Sequence, residues 1–386
     1  MRILFASTSG EGHLGPLYTL MREGRTLGHS VRIVSSRRAA ASLERSGFDF
    51  VLGDDPSADE AERVWSRFSS LPRSEASAMI ERDWFATLCA DALAPTMTSV
   101  VESWHPDLVI RETCEYSSAM VCDRMGLAHA QLGVSSAAAE YSVLTTLAAP
   151  ALDARSPGVS TRILAAPYLT RFPASLDPSP YPLTMRYRAS APVAGAPLPE
   201  WPAGEGPLVY LTLGTAVAPA TRITLLRRAL DAMTRRNLRV LVSTGPGVEP
   251  HELGALGATA HAVQWVDQSR VLEVADLVVC HGGSGTTFAA LDGGVPLVVV
   301  PLFADQPTNA RLVVEAGAGV MLGDGSGSAD ENSAAHESAL SRLGDAVDEV
   351  LHHPRYRDGA RRVQREMREA DAPAVLLARL TGRPVR

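Results

Sequence analysis

The chain has 386 residues, 46% of them hydrophobic, and a formal net charge of -7 at pH 7. This length is enough for two domains with complete cores, and the acidic balance excludes the basic surface that nucleic-acid binding needs. The four cysteines lack metal-ligand spacing, and their sparseness indicates a reducing compartment. The first apolar run, 3–6, is too short for a signal peptide, and no segment is long enough to span a bilayer. We therefore expect a cytoplasmic protein that binds no membrane.

The N-terminal stretch predicts a strand, a loop and a helix. Residues 2–6 (RILFA) read as a buried strand, and 7–15 (STSGEGHLG) read as a loop of small residues. Pro16 suits the first turn of the helix that follows, and 29–35 reads as a second strand. The chain therefore opens with a βαβ unit.

The predicted loop also contains a literal G-x-G-x-x-G at Gly10, Gly12 and Gly15, which is the pattern of dinucleotide-binding turns. An NAD enzyme would carry Asp or Glu at the end of the second strand. This chain has 35–38 (SSRR) there, and two arginines would suit the 2′-phosphate of NADP. An NADP-dependent oxidoreductase is therefore one alternative function.

Two carboxylates mark the middle of the first half. A strand predicted at 107–110 is followed by 111–115 (RETCE), so Glu112 and Glu115 lie at the carboxyl end of a strand, where α/β sheets bind ligands. The segment 53–106 reads as helices and loops with aromatic residues that can line an apolar cleft. The segment 135–188 reads as irregular.

A Pro- and Gly-rich stretch at 189–207 separates two βαβ series, the second with strands at 208–213, 239–243, 277–280 and 296–301. We therefore expect an α/β protein in which two Rossmann-like domains face each other across a cleft. The predicted first domain covers 1–195, the linker 196–206 and the second domain 207–372. A terminal helix at 373–386 is expected to pack back on the first domain.

The densest functional pattern lies at 275–306 (ADLVVCHGGSGTTFAALDGGVPLVVVPLFADQ). A buried strand leads into the glycine-rich turn 281–286 (HGGSGT) and a helix start, whose unpaired N–H groups favour phosphate. The next strand delivers Asp305 and Gln306 to the same sheet edge. The pattern predicts a phosphate site beside a polar pair.

These motifs, in this order, resemble a known family. The set comprises His13 after the first strand, Gly214 and Thr215, the segment 264–268 (QWVDQ), the turn 281–286 (HGGSGT), and 305–307 (DQP). It resembles the inverting glycosyltransferases of the GT-B fold. The likeness is greatest to the bacterial branch that decorates antibiotics, polyketides and other natural products.

The resemblance implies roles for individual residues. His13 would be the general base and Glu112 its carboxylate partner, with Glu replacing the Asp of the family and Glu115 as the alternative partner. The residues implied to bind the donor diphosphate and nucleotide are Thr215, Trp265, Gln268, His281, Gly283, Ser284, Gly285 and Thr286. Asp305 and Gln306 would bind the sugar. The residues proposed to contact the acceptor are Gly12, Trp65, Trp84 and Phe85.

The resemblance also implies a reaction without a metal or a resident cofactor, since no metal-ligand cluster is visible in the sequence. The co-substrate would be a nucleoside diphosphate sugar and the acceptor a small molecule. Ala289 stands where plant relatives place a glutamate on the ribose hydroxyls, which favours a dTDP-linked deoxysugar. A non-catalytic nucleotide-sugar-binding helper is a further alternative, and the sequence leaves open whether the chain forms a homodimer.

Overall fold

The structure, a computed structural model, describes residues 1–68, 70–189, 201–215, 217–234, 236–323 and 334–382. The chain divides into two compact units, Met1–Ser190 with Ala370–Arg386, and Ala191–Glu369. Of the predicted linker at 196–206, only 201–206 falls within the described residues.

Within the described residues, the first unit contains a seven-stranded parallel sheet with the order β3-β2-β1-β4-β5-β6-β7. Its strands are β1 (Arg2–Ala6), β2 (Ser30–Ser36), β3 (Asp49–Gly53), β4 (Leu108–Glu112), β5 (His129–Leu132), β6 (Tyr168–Thr170) and β7 (Thr184–Arg186). Its first helices are α1 (Glu11–Thr26), α2 (Ala40–Ser46), α3 (Ala58–Phe68), α4 (Arg73–Met79), α5 (Ala90–Trp104) and α6 (Ser117–Met125). They are followed by α7 (Ala137–Ser142), α8 (Ala149–Arg155) and α9 (Val159–Ala165).

The described part of the second unit forms a six-stranded parallel sheet with the order β10-β9-β8-β11-β12-β13. Its strands are β8 (Leu208–Thr212), β9 (Arg239–Ser243), β10 (Ala260–Val263), β11 (Leu277–Cys280), β12 (Leu297–Val299) and β13 (Gly319–Met321). Its helices are α10 (Pro219–Met233), α11 (Gln268–Leu272), α12 (Ser284–Asp292), α13 (Gln306–Glu315), α14 (Ala334–Ser341), α15 (Leu343–His352) and α16 (Pro354–Glu369).

The central strands of both sheets are buried along their whole length. Every residue of β4, β8 and β11 is buried, as expected for parallel strands that helices cover on both faces. Their apolar side chains form the cores, with Ile3, Phe5 and Ile110 in the first unit and Val209, Leu211 and Val279 in the second. The polar residues that end these strands are therefore held on rigid supports.

Two local predictions need correction. The predicted loop at 7–15 is shorter than expected, because α1 begins at Glu11 and places His13 in its first turn. Gly10, with a φ of 112°, ends the loop, and its carbonyl accepts the amides of His13 and Leu14. The segment predicted as irregular at 135–188 contains three α-helices and two strands, together with a π-helix at Val143–Ala148. Its alanines and buried leucines favour helix packing more than its prolines oppose it.

The last helix, α17 (Pro373–Thr381), belongs to the first unit. Leu376 and Leu377 are fully buried in the same core cluster as Leu17 and Leu20 of α1. A parallel bridge between Tyr187 and Asp371 joins the chain beside it to the end of the first sheet. The chain therefore returns to its first unit after completing the second. Among the described residues, no helix is both long and apolar enough to cross a membrane.

Candidate active site

The site in the first unit lies where the strand order reverses. β1 pairs with β2 on one side and with β4 on the other, and Ala6 is in register with Arg111. The carboxyl ends of two such strands form the crevice in which open α/β sheets bind ligands. The segment after β1 and the last residue of β4, Glu112, both reach this edge.

Glu112 is fully buried, and several donors hold its carboxylate. Oε1 accepts the backbone amide of Thr8 at 3.0 Å and the Thr8 hydroxyl at 2.7 Å. Oε2 accepts the amide of Cys114 at 2.7 Å. A buried carboxylate with three donors is held in one orientation and is favoured in its ionised form.

His13 lies directly against this carboxylate. Its Nδ1 is 3.2 Å from Oε2 of Glu112, and its side chain remains 25% exposed while that of Glu112 is completely buried. Since a carboxylate accepts hydrogen bonds, it favours the neutral tautomer with the proton on Nδ1, which leaves Nε2 free to accept a proton. The structure thus brings together the two residues that the resemblance implies as a base and its partner.

The two groups shift each other's pKa in opposite directions. Burial alone would lower the pKa of His13, but the charge of the Glu112 carboxylate beside it raises this pKa above its ordinary value. Burial alone would raise the pKa of Glu112, but His13 and the Thr8 donors hold it well below its usual range. The carboxylate is therefore ionised at physiological pH and strengthens the imidazole as a base.

Glu115, the alternative partner, has a different environment. It is buried, and its carboxylate accepts hydrogen bonds from the hydroxyls of Ser117 and Ser118 and from the Ser118 amide at 3.1 Å. It therefore caps the start of α6. In this geometry Glu112, and not Glu115, contacts His13.

Aromatic side chains surround the dyad. The ring of Phe85 lies 5.5 Å from that of His13, on a π-helical segment at Ile80–Cys89. Trp84 is buried and packs edge-on against Trp65 at 5.5 Å, and Trp65 is 43% exposed. Gly12 is exposed, and an added Cβ there would meet no atom within 4 Å. Of the four proposed acceptor contacts, Phe85 packs beside His13 and Gly12 lies on the same helical turn as His13. Trp84 instead packs in a core cluster.

The sequence analysis did not identify Glu81, a further carboxylate beside the dyad. Burial raises its pKa to about 7, the charge of His13 opposes that rise, and the charge of Glu112 adds to it. Its Oε2 is buried without a hydrogen-bond partner among the described residues. The only sequence signal was its position, four residues before Phe85.

One group of side chains in the described part of the chain has the composition of a metal site. Ligand atoms of His13, Glu112 and Cys114 lie within 4.8 Å of one another. Burial raises the pKa of the Cys114 thiol well above its ordinary value, and the charges of Glu81 and Glu112 add to the rise. This environment favours the protonated thiol, whereas the thiolate is the form that binds metals.

The arginines that an NADP 2′-phosphate would need are paired with carboxylates. Arg37 donates to Asp54 Oδ1 at 2.9 Å from its terminal nitrogen, and Nε of Arg38 lies 3.6 Å from Asp55. The geometry thus gives the dinucleotide alternative no support.

The second unit repeats the arrangement at its own reversal point. β8 pairs with both β9 and β11, and Thr212 is in register with Cys280. Gly214 and Thr215 therefore follow one strand, and His281 follows the other. Beyond His281, Gly283 is the N-cap of α12, whose first N–H groups have no acceptor within the helix.

His281 is enclosed by two glycines. A Cβ on Gly214 would lie 2.7 Å from the imidazole Cε1, and a Cβ on Gly283 would lie 2.6 Å from Nε2. Gly214 also has a φ of 68°, which side chains rarely adopt. Burial, assisted by the charge of Arg222, lowers the pKa of His281 to about 4, so the ring is neutral at physiological pH. It can therefore donate one hydrogen bond without carrying a charge.

Asp305 is tied to the same turn. Its Oδ2 accepts the Ser284 hydroxyl at 2.5 Å and the amide of Asn309 at 2.7 Å. Asn309 is fully buried and also donates to the carbonyl of Gly282 at 2.9 Å. The sequence analysis did not assign a role to Asn309. The signal was present, because a buried amide four residues after Asp305 lies one helical turn away.

Gln306 differs from the other predicted sugar contact. It is only 2% exposed, and its amide oxygen accepts the backbone amides of Leu302 and Phe303 at 2.8 and 3.0 Å. The side-chain oxygen therefore holds the turn after β12.

The remaining predicted donor contacts differ in exposure, and Thr286 is buried. Trp265 is 75% exposed, which is unusual for an indole without a partner surface. Thr215 and Gly285 are also exposed. Gln268 begins α11 and donates to the hydroxyl of Thr286 at 3.1 Å.

Known proteins are similar to this chain in sequence and in fold. The family described as erythromycin biosynthesis protein CIII-like, C-terminal domain, matches residues 227–382. L-demethylnoviosyl transferase of Streptomyces niveus is 32% identical over 340 residues, which cover 83% of this chain and 85% of the relative. Elloramycin glycosyltransferase ElmGT of Streptomyces olivaceus is 28% identical over 395 residues, or 98% and 97% of the two chains.

Solved structures agree in fold. Spinosyn rhamnosyltransferase SpnG superposes with a TM-score of 0.77 at 21% identity, covering 99% of this chain and all of that one. Glycosyltransferase SnogD from Streptomyces nogalater has a TM-score of 0.74 at 24% identity and covers 99% of both chains. The chain therefore belongs to the natural-product glycosyltransferases of the GT-B fold, and the fold class expected from the sequence is confirmed.

The contact between Gly283 and His281 gives a first prediction. In Gly283→Ala the new methyl group must displace the imidazole, and we expect a loss of about 1–3 kcal/mol in the free energy of unfolding of the second unit. Gly285→Ala is the matched control, because its Cβ meets nothing within 4 Å and alanine is the better helix former. Chemical denaturation of both variants measures the difference. Equal stabilities would contradict the packing described for His281.

Proposed function

We propose that this glycosyltransferase inverts the anomeric configuration as it moves a sugar, without a metal, from a nucleoside diphosphate donor to a hydroxyl of a hydrophobic natural product. The observation that carries the proposal is the 3.2 Å contact between Nδ1 of His13 and the buried carboxylate of Glu112. An oriented, partly exposed imidazole with a raised pKa is suited to take a proton from an alcohol. Its neighbour Phe85 supports an apolar acceptor.

In the proposed reaction, the acceptor hydroxyl gives its proton to Nε2 of His13 while its oxygen attacks the anomeric carbon. The bond from that carbon to the diphosphate oxygen breaks in the same step, and its electron pair leaves with the diphosphate. Attack from the opposite face inverts the configuration. Glu112 stabilises the imidazolium that forms.

The second unit would hold the leaving group. The free N–H groups at the start of α12, including that of Ser284, the hydroxyl of Thr286, and the neutral ring of His281 are donors suited to a diphosphate that gains charge. Thr215 would contribute another hydroxyl, and Asp305 would accept hydrogen bonds from the sugar. Since these donors can compensate the developing charge, the proposal needs no metal and no resident cofactor.

Two observations favour dTDP as the nucleotide. Ala289 on α12 cannot accept hydrogen bonds from ribose hydroxyls, and a solved structure of SpnG is complexed with thymidine diphosphate. Another SpnG structure is complexed with spinosyn aglycone, and L-demethylnoviosyl transferase is named for transfer of an L-demethylnoviosyl group. We infer by analogy a dTDP-deoxysugar donor and an aglycone acceptor. The exposed Trp265 would stack on the base.

The dyad predicts a pH dependence. Because Glu112 raises the pKa of His13 above 6.5, kcat/KM of the wild type should rise with pH through a midpoint above this value. Glu112→Gln removes the negative charge, so the midpoint should move to lower pH and the limiting rate should fall about 100-fold. Glu115→Gln is the control and should leave the midpoint in place. The pH–rate profiles of the three enzymes check this, and coincident profiles for wild type and Glu112→Gln would refute the dyad.

The single displacement predicts the stereochemistry of the product. A donor with an α-linked diphosphate should give only a β-linked glycoside. The coupling constant of the anomeric proton in the NMR spectrum of the product distinguishes the two configurations. A retained configuration would mean that the sugar passes through a second displacement, which the proposed mechanism lacks.

The donor proposal is tested by comparing two nucleotides in one protein. The wild type should bind dTDP more tightly than UDP, and Ala289→Glu should shift the ratio of the two dissociation constants toward UDP by about tenfold, the effect of one or two added hydrogen bonds. Isothermal titration calorimetry measures both constants. A general loss of folding cancels in the ratio, so an unchanged ratio would contradict a role for position 289 at the ribose.

A further inference from the structure

Arg222 is one of two fully buried arginines in the described part of the chain, with 1% of its surface exposed. It lies in the first turns of α10. Its Nε and one terminal nitrogen donate to the carbonyl of Val217 at 3.2 and 2.7 Å, and the other terminal nitrogen donates to the carbonyl of Thr244 at 2.9 Å. The guanidinium is thus fixed between the ends of β8 and β9.

No carboxylate compensates this charge among the described residues. The pKa of Arg222 is lowered by burial alone, with no opposing contribution from an acidic group. An arginine nevertheless remains protonated in a protein. A buried charge without a counter-ion is unfavourable, and hydrogen bonds to neutral carbonyls compensate for it only in part.

Arg111, the other fully buried arginine of the described residues, has neighbours that compensate its charge. Its terminal nitrogens donate to three carbonyls and to the side chain of Gln131. In addition, its charge acts on the buried carboxylate of Glu115, and it lies 5.5 Å from the ring of Tyr116. Arg111 therefore has acidic and aromatic neighbours that Arg222 lacks.

The uncompensated charge lies next to the proposed diphosphate site. Gly245, with a φ of 76°, passes so close to Arg222 that an added Cβ would be 2.2 Å from the guanidinium and 2.8 Å from the carbonyl oxygen of Gly214. Gly214 in turn packs on the ring of His281. The electrostatic effect of Arg222 on His281 follows from this proximity.

We propose that Arg222 is the positioning residue whose buried charge provides the counter-charge for the diphosphate of the nucleotide donor, so that ligand binding completes an ion pair that the protein alone leaves open. The inference rests on the proposed function, because it assumes a diphosphate beside His281. Arg222 would provide the positive charge of the site from behind the glycine turns, and the turns themselves would provide neutral hydrogen-bond donors. Its charge also adds to the burial that keeps His281 a neutral donor, since a cation next to the ring disfavours a second positive charge.

The test separates charge from structure by using two ligands and three variants. dTDP and thymidine share the base and the sugar, so the ratio of their dissociation constants measures what the diphosphate contributes. Arg222→Gln keeps donors for the two carbonyls but removes the charge, and the preference for dTDP should fall at least about tenfold, which is about 1.4 kcal/mol. Arg222→Lys keeps the charge and should keep most of the preference. Arg227→Gln, on an exposed position of the same helix, is the control and should match the wild type.

A purely structural arginine would give a different pattern in the same calorimetric titrations. Arg222→Gln would then weaken dTDP and thymidine alike, leaving the ratio unchanged, and that result overturns the inference. If Arg222→Gln does not fold, Arg222→Lys decides the question, because loss of the dTDP preference in a protein that retains the charge also overturns it. A wild type that binds neither ligand would instead contradict the proposed function.

Discussion

A carboxylate that is completely buried must be protonated or compensated, and the first unit depends on how Glu112 is compensated. Thr8 and the amide of Cys114 fill three of its acceptor positions, and His13 lies against the remaining one. The two parallel strands β1 and β4 bring these groups together, because the residues that leave adjacent strand ends meet at one edge. The fold therefore fixes an ionised carboxylate, and the carboxylate fixes the orientation of the imidazole.

In the second unit the buried charge that needs compensation is a cation, whereas in the first unit it is a carboxylate. Its reversal point collects neutral donors, with His281 held between two glycines and kept uncharged by burial. Behind them lies the cation of Arg222, which no described carboxylate neutralises. Without a ligand these donors lack acceptors and the cation lacks a counter-ion among the described residues. The arrangement therefore favours binding of an anion, such as the diphosphate that leaves in the proposed reaction. One unit thus carries the proposed base and the other carries the groups proposed to stabilise a negative charge.

Much of this was predictable from the sequence, because the signals are local. Apolar runs predicted the central strands of both sheets, including β9 and β11 with their correct bounds, and the turn 281–286 marked the start of α12. The outer strands β3, β6, β7, β10 and β13 were not predicted. The family and fold expected from these motifs are confirmed. The start of α1 was not predictable, since glycines at positions 12 and 15 disfavour a helix that the packing of Leu14 and Leu17 stabilises. The environments of Glu81 and Arg222 depend on groups that are distant in sequence, such as the His13–Glu112 pair and the carbonyl of Thr244, and no local pattern encodes such contacts.

The central claim is that Glu112 orients His13 and raises its pKa so that it serves as the base. An NMR titration of the His13 imidazole in the wild type and in Glu112→Gln measures this directly, without substrates. The account predicts a pKa above 6.5 with the neutral form protonated on Nδ1 in the wild type, and a lower pKa in the variant. A wild-type pKa at or below 6.5 that does not change in Glu112→Gln would contradict it.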